Sequence, residues 1–124
     1  MTYIQDVNEV VGTDEFADWY RSLTEQEEAE VANAVGKLET LGLRLGEPHC
    51  SAIKGASFAL RELRCRSGSS PLRIFYAYDP RRDAVLIIGG DKSGDPKFYD
   101  RMIPRAESIW KEYIAELPEV EEEE

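Results

Sequence analysis

The segment FALRELRCRSGSSPLRIFYAYDPRRDAVLIIGGDKSGDPKFY, residues 58–99, carries three short apolar runs at 58–65, 72–78 and 84–88. Turn formers separate them: Ser67-Gly-Ser-Ser-Pro71 lies between the first and second, and Asp79-Pro-Arg-Arg-Asp83 between the second and third. Connections this short join strands that run antiparallel, because a parallel pair needs a crossover of a dozen residues or more. The run Ala84-Val-Leu-Ile-Ile88 has no polar alternation, which predicts burial on both faces in the middle of the sheet.

Outward from this segment the period becomes helical. Residues 3–11 hold β-branched side chains in imperfect alternation and predict an edge-type first strand. Thr13 is placed to cap a helix whose Phe16, Trp19, Tyr20 and Leu23 share a face. Thr24 with Glu27 three residues on has the spacing of a capping box. The helix it opens is expected to turn Val31, Ala32, Val35 and Leu38 to the core and to stop near Gly42, completing a helical hairpin. At the other end Met102, Ile103, Ala106, Ile109, Trp110, Tyr113 and Ile114 form one stripe, with Pro104 either in the first turn or kinking the helix. The expected architecture is α+β, a single domain over residues 1–117 followed by an acidic tail at 118–124 with too little apolar content to order.

A chain of 124 residues, 42% hydrophobic, suits one core. No apolar run is long enough to span a bilayer, and MTYIQDVNEVV lacks the basic and apolar regions of a signal peptide, so a cytoplasmic location without membrane contact is expected. Cys50 and Cys65 have no spacing that suggests a disulfide framework or a zinc site and read as free thiols; no metal or other cofactor is expected. His49, the one histidine, stands in the loop-like Gly46-Glu-Pro-His-Cys50, where surface filler outweighs the alternative of a general base. The charge is segregated. Residues 53–82 hold Lys54, Arg61, Arg64, Arg66, Arg73, Arg81 and Arg82 against only Glu62 and Asp79, while residues 1–39 hold ten acids against Arg21 and Lys37. A net charge of -10 therefore hides a local positive field.

The order strand, two helices, three strands and helix, together with LRELR at 60–64, LRIFY at 72–76, GGDK at 89–92, FYD at 98–100 and IPRAE at 103–107, resembles the RelE/ParE superfamily of type II toxin–antitoxin toxins. The branch it looks most like is the HigB-like, phage Gp49-related one. The resemblance covers about residues 16–117 and implies a RelE-like fold and a ribosome-dependent messenger RNA endonuclease, cutting without metal by way of the 2′-hydroxyl. It also implies a cognate antitoxin, commonly of helix-turn-helix type, with DNA reached only through that antitoxin. Two rival expectations are a ParE-like toxin that poisons gyrase and a catalytically inactive member that binds its partner. The low pI, about 4.6, departs from the basic character of many ribosome-binding toxins.

Such cleavage needs cations on the phosphate, a base for the 2′-hydroxyl and an acid for the leaving 5′-oxygen. Arginine suits the phosphate, since its planar fork donates two hydrogen bonds and stays charged. Arg64 and Arg73, on neighbouring predicted strands, match the arginines the family places in its groove; the alternative is a pair of solvated residues on a half-covered sheet. Lys92, past the interior strand, is either a phosphate contact or a solubilising residue, and Tyr99 either a base-stacking or proton-donating group or a core aromatic beside Phe98. Lys54, Arg61 and Arg66 are candidate RNA contacts, although Arg61 and Arg64 differ by an odd number and should face opposite ways. Glu62 shares the face of Arg64 and is either its ion-pair partner, the preferred role, or a general base. Arg81 and Arg82, in a turn, are solubilising or outer contacts to ribosomal RNA.

Overall fold

The computed structural model describes residues 9–118. In chain order these form β1 (Val10–Gly12), α1 (Asp14–Arg21), α2 (Glu25–Leu41), a 3-10 turn (Gly42–Arg44), β2 (Cys50–Ala52), β3 (Arg61–Ser67), β4 (Ser70–Tyr78), β5 (Ala84–Asp91) and α3 (Phe98–Glu116). The five strands make one sheet in the order β1-β5-β4-β3-β2, with β1 parallel to β5 and every other pair antiparallel.

The helical hairpin covers one face of the sheet and α3 the other. Phe16, Val31, Ala34 and Leu38 pack on Leu63, Leu72, Ile74 and Tyr76; Phe98, Met102, Ala106 and Ile109 pack on Phe75, Val85 and Ile87. Both faces of β4 and β5 are thus buried, which is why 84–88 is apolar without alternation. The hairpin lies close against the sheet: a Cβ on Gly89 would stand 2.3 Å from the Trp19 ring, so only glycine admits the indole there.

The caps form as the sequence indicates. Thr13 Oγ1 accepts the Phe16 N–H at 3.0 Å and donates to the Ile87 carbonyl at 2.6 Å, tying α1 to β5. Thr24 and Glu27 make both bonds of the capping box, at 3.2 and 2.9 Å. Three expectations are corrected. The core position on α2 is Ala34, and Ala32 is exposed, because the stripe runs 31, 34, 35, 38. A short strand, β2, lies inside the stretch read as loop and edges the sheet. β3 begins at Arg61 and the turn after it is only Gly68 and Ser69, with Gly68 at φ 60. Of the two places considered for Pro104, the one inside the helix is found: it stands at an exposed position beyond the first turn, which opens at Phe98. The first strand is present over Val10–Gly12 and lies at an edge; residues 3–8 of that expectation, and all of the expected tail except Pro118, fall outside the described residues.

Candidate active site

The β3–β4 register sets Arg64 directly opposite Arg73, on the face that α3 covers. Like charges in opposed positions repel, so the pair needs a counter-charge. Glu62 supplies it. Two residues before Arg64 on the same face, its side chain is 5% exposed, and its oxygens collect donors from three strands and a helix. Tyr99, in the first turn of α3, donates its phenolic proton to Oε1 at 2.6 Å. Arg64 donates from Nε and Nη2 to Oε2 at 3.4 and 3.3 Å, and Ser51 on β2 donates to the same oxygen at 3.2 Å. Arg73 Nε lies 3.5 Å from Oε1 as an ion pair, and Nη1 donates to the Leu72 carbonyl at 3.0 Å. Ser51 also accepts from Arg64 Nη2 at 2.8 Å, bracing that guanidinium from the sheet edge.

Lys92 enters from the loop after β5, where its N–H is fixed on the Pro71 carbonyl at 2.9 Å, and its Nζ stands 5.1 Å from the centre of the Tyr99 ring. Two arginines thus share one carboxylate, with Lys92 beside the tyrosine that the same carboxylate holds, and the cluster carries an excess of positive charge. Burial, and then the Glu62 carboxylate, push the Tyr99 phenol above its ordinary pKa, with Arg73 opposing; the phenol is protonated at neutral pH. Tyr99 is held edge-on to Phe75 and Phe98, at 6.2 and 5.2 Å between centroids, so Phe98 is the core aromatic and Tyr99 the groove one.

The four residues expected to converge, Arg64, Arg73, Lys92 and Tyr99, are brought together: Glu62 links the two arginines and Tyr99, and Lys92 joins them over the Tyr99 ring. Arg66 is exposed near the β3–β4 turn, donating to the Ser69 carbonyl at 3.4 Å, and alternates onto the face of Arg64. Lys54 is exposed in the turn beyond β2. Arg61 is on the opposite face, as the odd spacing requires, with Nε on Tyr76 Oη at 3.3 Å and Nη2 3.6 Å from Cys50 Sγ. Arg81 and Arg82 are exposed in the 79–83 turn, with Arg82 at φ 70. Two neighbours were not anticipated. Ser51 needed β2 to be recognised, and nothing in a three-residue strand advertises it. His49 lies beside the site rather than in remote loop: it is exposed, and its carbonyl accepts the Arg64 N–H at 2.8 Å. Both cysteines are free, and burial pushes the Cys65 thiol up to about 11, which leaves it un-ionised and a poor nucleophile.

A mixed, mainly antiparallel sheet lies between a helical hairpin and a C-terminal helix, and paired arginines and a tyrosine gather on a buried glutamate: a small α+β protein with a local surplus of positive charge on one face of the sheet. The chain belongs to the family described as Phage derived protein Gp49-like, whose model matches residues 18–111 and so takes in every residue of the cluster. It is similar to "Putative toxin HigB3" of Mycobacterium tuberculosis (strain ATCC 25618 / H37Rv), 37% identical over 99 residues that cover 78% of this chain and 85% of the relative. It is also similar to "Putative toxin HigB2" of the same organism, 32% identical over 102 residues covering 80% of this chain; the matched region spans about half, 51%, of that longer relative. Among the described residues no helix is long and apolar enough to cross a membrane.

Proposed function

We propose that this protein is the toxin of a type II toxin–antitoxin system and acts as a ribosome-dependent messenger RNA endonuclease, neutralised by a cognate antitoxin. The observation that carries the proposal is the opposition of Arg64 and Arg73 on one strand pair with the Tyr99 phenol anchored to the same Glu62. Family membership and the two similar proteins named as HigB toxins support the toxin role.

In this proposal a phosphate of the message takes the outward charge of Arg64, Arg73 and Lys92. As the 2′-hydroxyl attacks, negative charge grows on the non-bridging oxygens, and fixed guanidinium donors stabilise it without reorganising. Tyr99 exchanges Glu62 for the leaving 5′-oxygen and gives it the phenolic proton. Glu62, almost fully buried and taken up by hydrogen bonds from Tyr99, Arg64 and Ser51 and by the Arg73 ion pair, acts as the post that sets both arginines and the tyrosine rather than as a base that meets substrate. The ribosome completes the pocket around the 2′-hydroxyl, whose proton passes to water there as the oxygen attacks. Arg66 and Lys54, both exposed, are outer contacts to the RNA backbone. Induction in translating cells followed by mapping of RNA 5′ ends tests the proposal: new ends within codons are expected. Double-strand DNA breaks with messages intact would replace it with gyrase poisoning.

A further inference from the structure

Helix α2 runs out into Leu41-Gly-Leu-Arg-Leu45, three leucines in five residues. Gly42 ends the helix at φ 54, and of the three only Leu45 is buried. Leu43 at 54% and Leu41 at 36% are the large hydrophobic side chains most open to solvent among the described residues. Leu43 also lines a mostly apolar cleft of about 360 Å³, together with Leu45, Ile53, Leu60 and Arg61, at the end of the sheet where β3 begins and β4 ends. A projecting leucine and a hollow that accepts one therefore share a single patch.

The charges around this patch are of both signs. Glu39 and Arg44 flank the two exposed leucines in sequence, Glu47 follows Leu45 by two residues, and Arg61 stands in the cleft wall. Glu39, Arg44 and Glu47 are exposed. Arg61 has the Tyr76 hydroxyl and the Cys50 sulfur as side-chain partners, at 3.3 and 3.6 Å, and no ion pair among the described residues takes up any of the four. A partner of one charge sign, RNA included, would satisfy half of this set and be repelled by the other half. A second copy of the chain meets all of it. An isologous contact requires each patch to complement itself, and a surface with as many acids as cations, and with knob beside hollow, does so when turned about a two-fold axis.

We infer that this patch is the contact between two copies of the chain, each seating Leu43 in the cleft of the other and setting Arg44 and Arg61 against the partner's Glu39 and the partner's Glu47. Such a dimer is independent of the toxin proposal. Arg61 alternates away from Arg64, so both arginine pairs stay outside the contact, while β2, whose Ala52 lines the cleft, is braced beside Ser51. Sedimentation equilibrium of the full chain is the test. A dimer that dissociates on dilution is expected, with Leu43→Asp raising its dissociation constant about a hundredfold, because a charge must then enter an apolar hollow. Leu43 is mostly exposed within one chain, so that variant keeps its core. Charge variants at exposed positions give a second reading. Arg44→Glu makes the patch acidic and Glu39→Lys/Glu47→Lys makes it basic; each alone should self-associate poorly, and an equimolar mixture should form a mixed dimer. A parent chain that is monomeric at every concentration would overturn the inference, as would a dimer undiminished by Leu43→Asp, or charge variants that fail to pair when mixed.

Discussion

Glu62 makes a sharper prediction than any of the cations around it. Replacing it with Gln keeps one of the two acceptor oxygens, which Tyr99 and Arg64 use separately, and removes the charge that lets Arg64 and Arg73 stand opposite each other. The loss of a buried pair costs about 3–5 kcal/mol when fully buried; here Arg64 reaches solvent, so about 2 kcal/mol is expected from chemical denaturation. Under the proposed endonuclease mechanism Arg73→Ala should lower cleavage about a hundredfold or more while the variant still folds, because that mechanism assigns the guanidinium to charge on phosphate rather than to core packing. Arg64→Lys should also cleave poorly, since the ammonium lacks the fork that reaches both Glu62 and phosphate. Tyr99 gives a pH signature. Its pKa is raised in the fold, so its contribution to stability is fully present below the unfolded value near 10 and is lost as pH climbs past it. Tyr99→Phe should flatten that alkaline loss, read as melting temperature against pH. Arg64, Arg73, Lys92 and Tyr99 were legible in sequence because strand order and family spacing both put them near one groove. The centrality of Glu62 was not, since burial and donor count belong to the fold, and a carboxylate in LRELR looks the same whether it faces solvent or three strands.

Helices and strands were legible where period and caps agreed and obscure where an element was too short to show a period. The capping box was readable because its two side chains are three residues apart and need no tertiary partner; Thr24→Ala should cost about 1 kcal/mol in thermal or denaturant unfolding. On α2 the alanines at 32 and 34 are chemically identical, and only the direction of the sheet decides that Ala34 is the buried one. β2, three residues long, offers no alternation, yet it carries Ser51 and sets His49 beside Arg64. His49→Ala therefore separates two accounts of the chemistry: cleavage within a few-fold of the parent is expected if cations and Tyr99 carry the reaction, and a loss comparable to Arg73→Ala would show that the imidazole takes the 2′-hydroxyl proton. Among the glycines, Gly89 makes the closest approach to another element. Gly89→Ala forces the Trp19 ring off β5 and should destabilise by about 1–3 kcal/mol, with the Trp fluorescence shifting as the hairpin lifts.

The acids of the helical hairpin are separated by the sheet from the Arg64–Arg73 pair. The helical hairpin carries Asp14, Glu15, Asp18, Glu25, Glu27, Glu28 and Glu30 on one side of the sheet, and the arginine face lies on the other. A pI near 4.6 is compatible with RNA binding under that separation, because a phosphate meets the local field of three cations and not the average of the chain. The overall order of elements, one sheet between hairpin and helix, was readable from the change of period at residue 58; the mixed sense of the sheet was not, since a parallel β1–β5 pairing depends on how the hairpin crosses over and leaves no mark in either strand. Production without an antitoxin should arrest growth. The decisive measurement is paired within one induced culture of translating cells: RNA 5′ ends and double-strand DNA breaks, for the parent chain and for Arg64→Ala. New RNA ends within codons that vanish in Arg64→Ala, with DNA intact, are the predicted result; DNA breaks without RNA ends, or RNA ends that persist undiminished in Arg64→Ala, would contradict it.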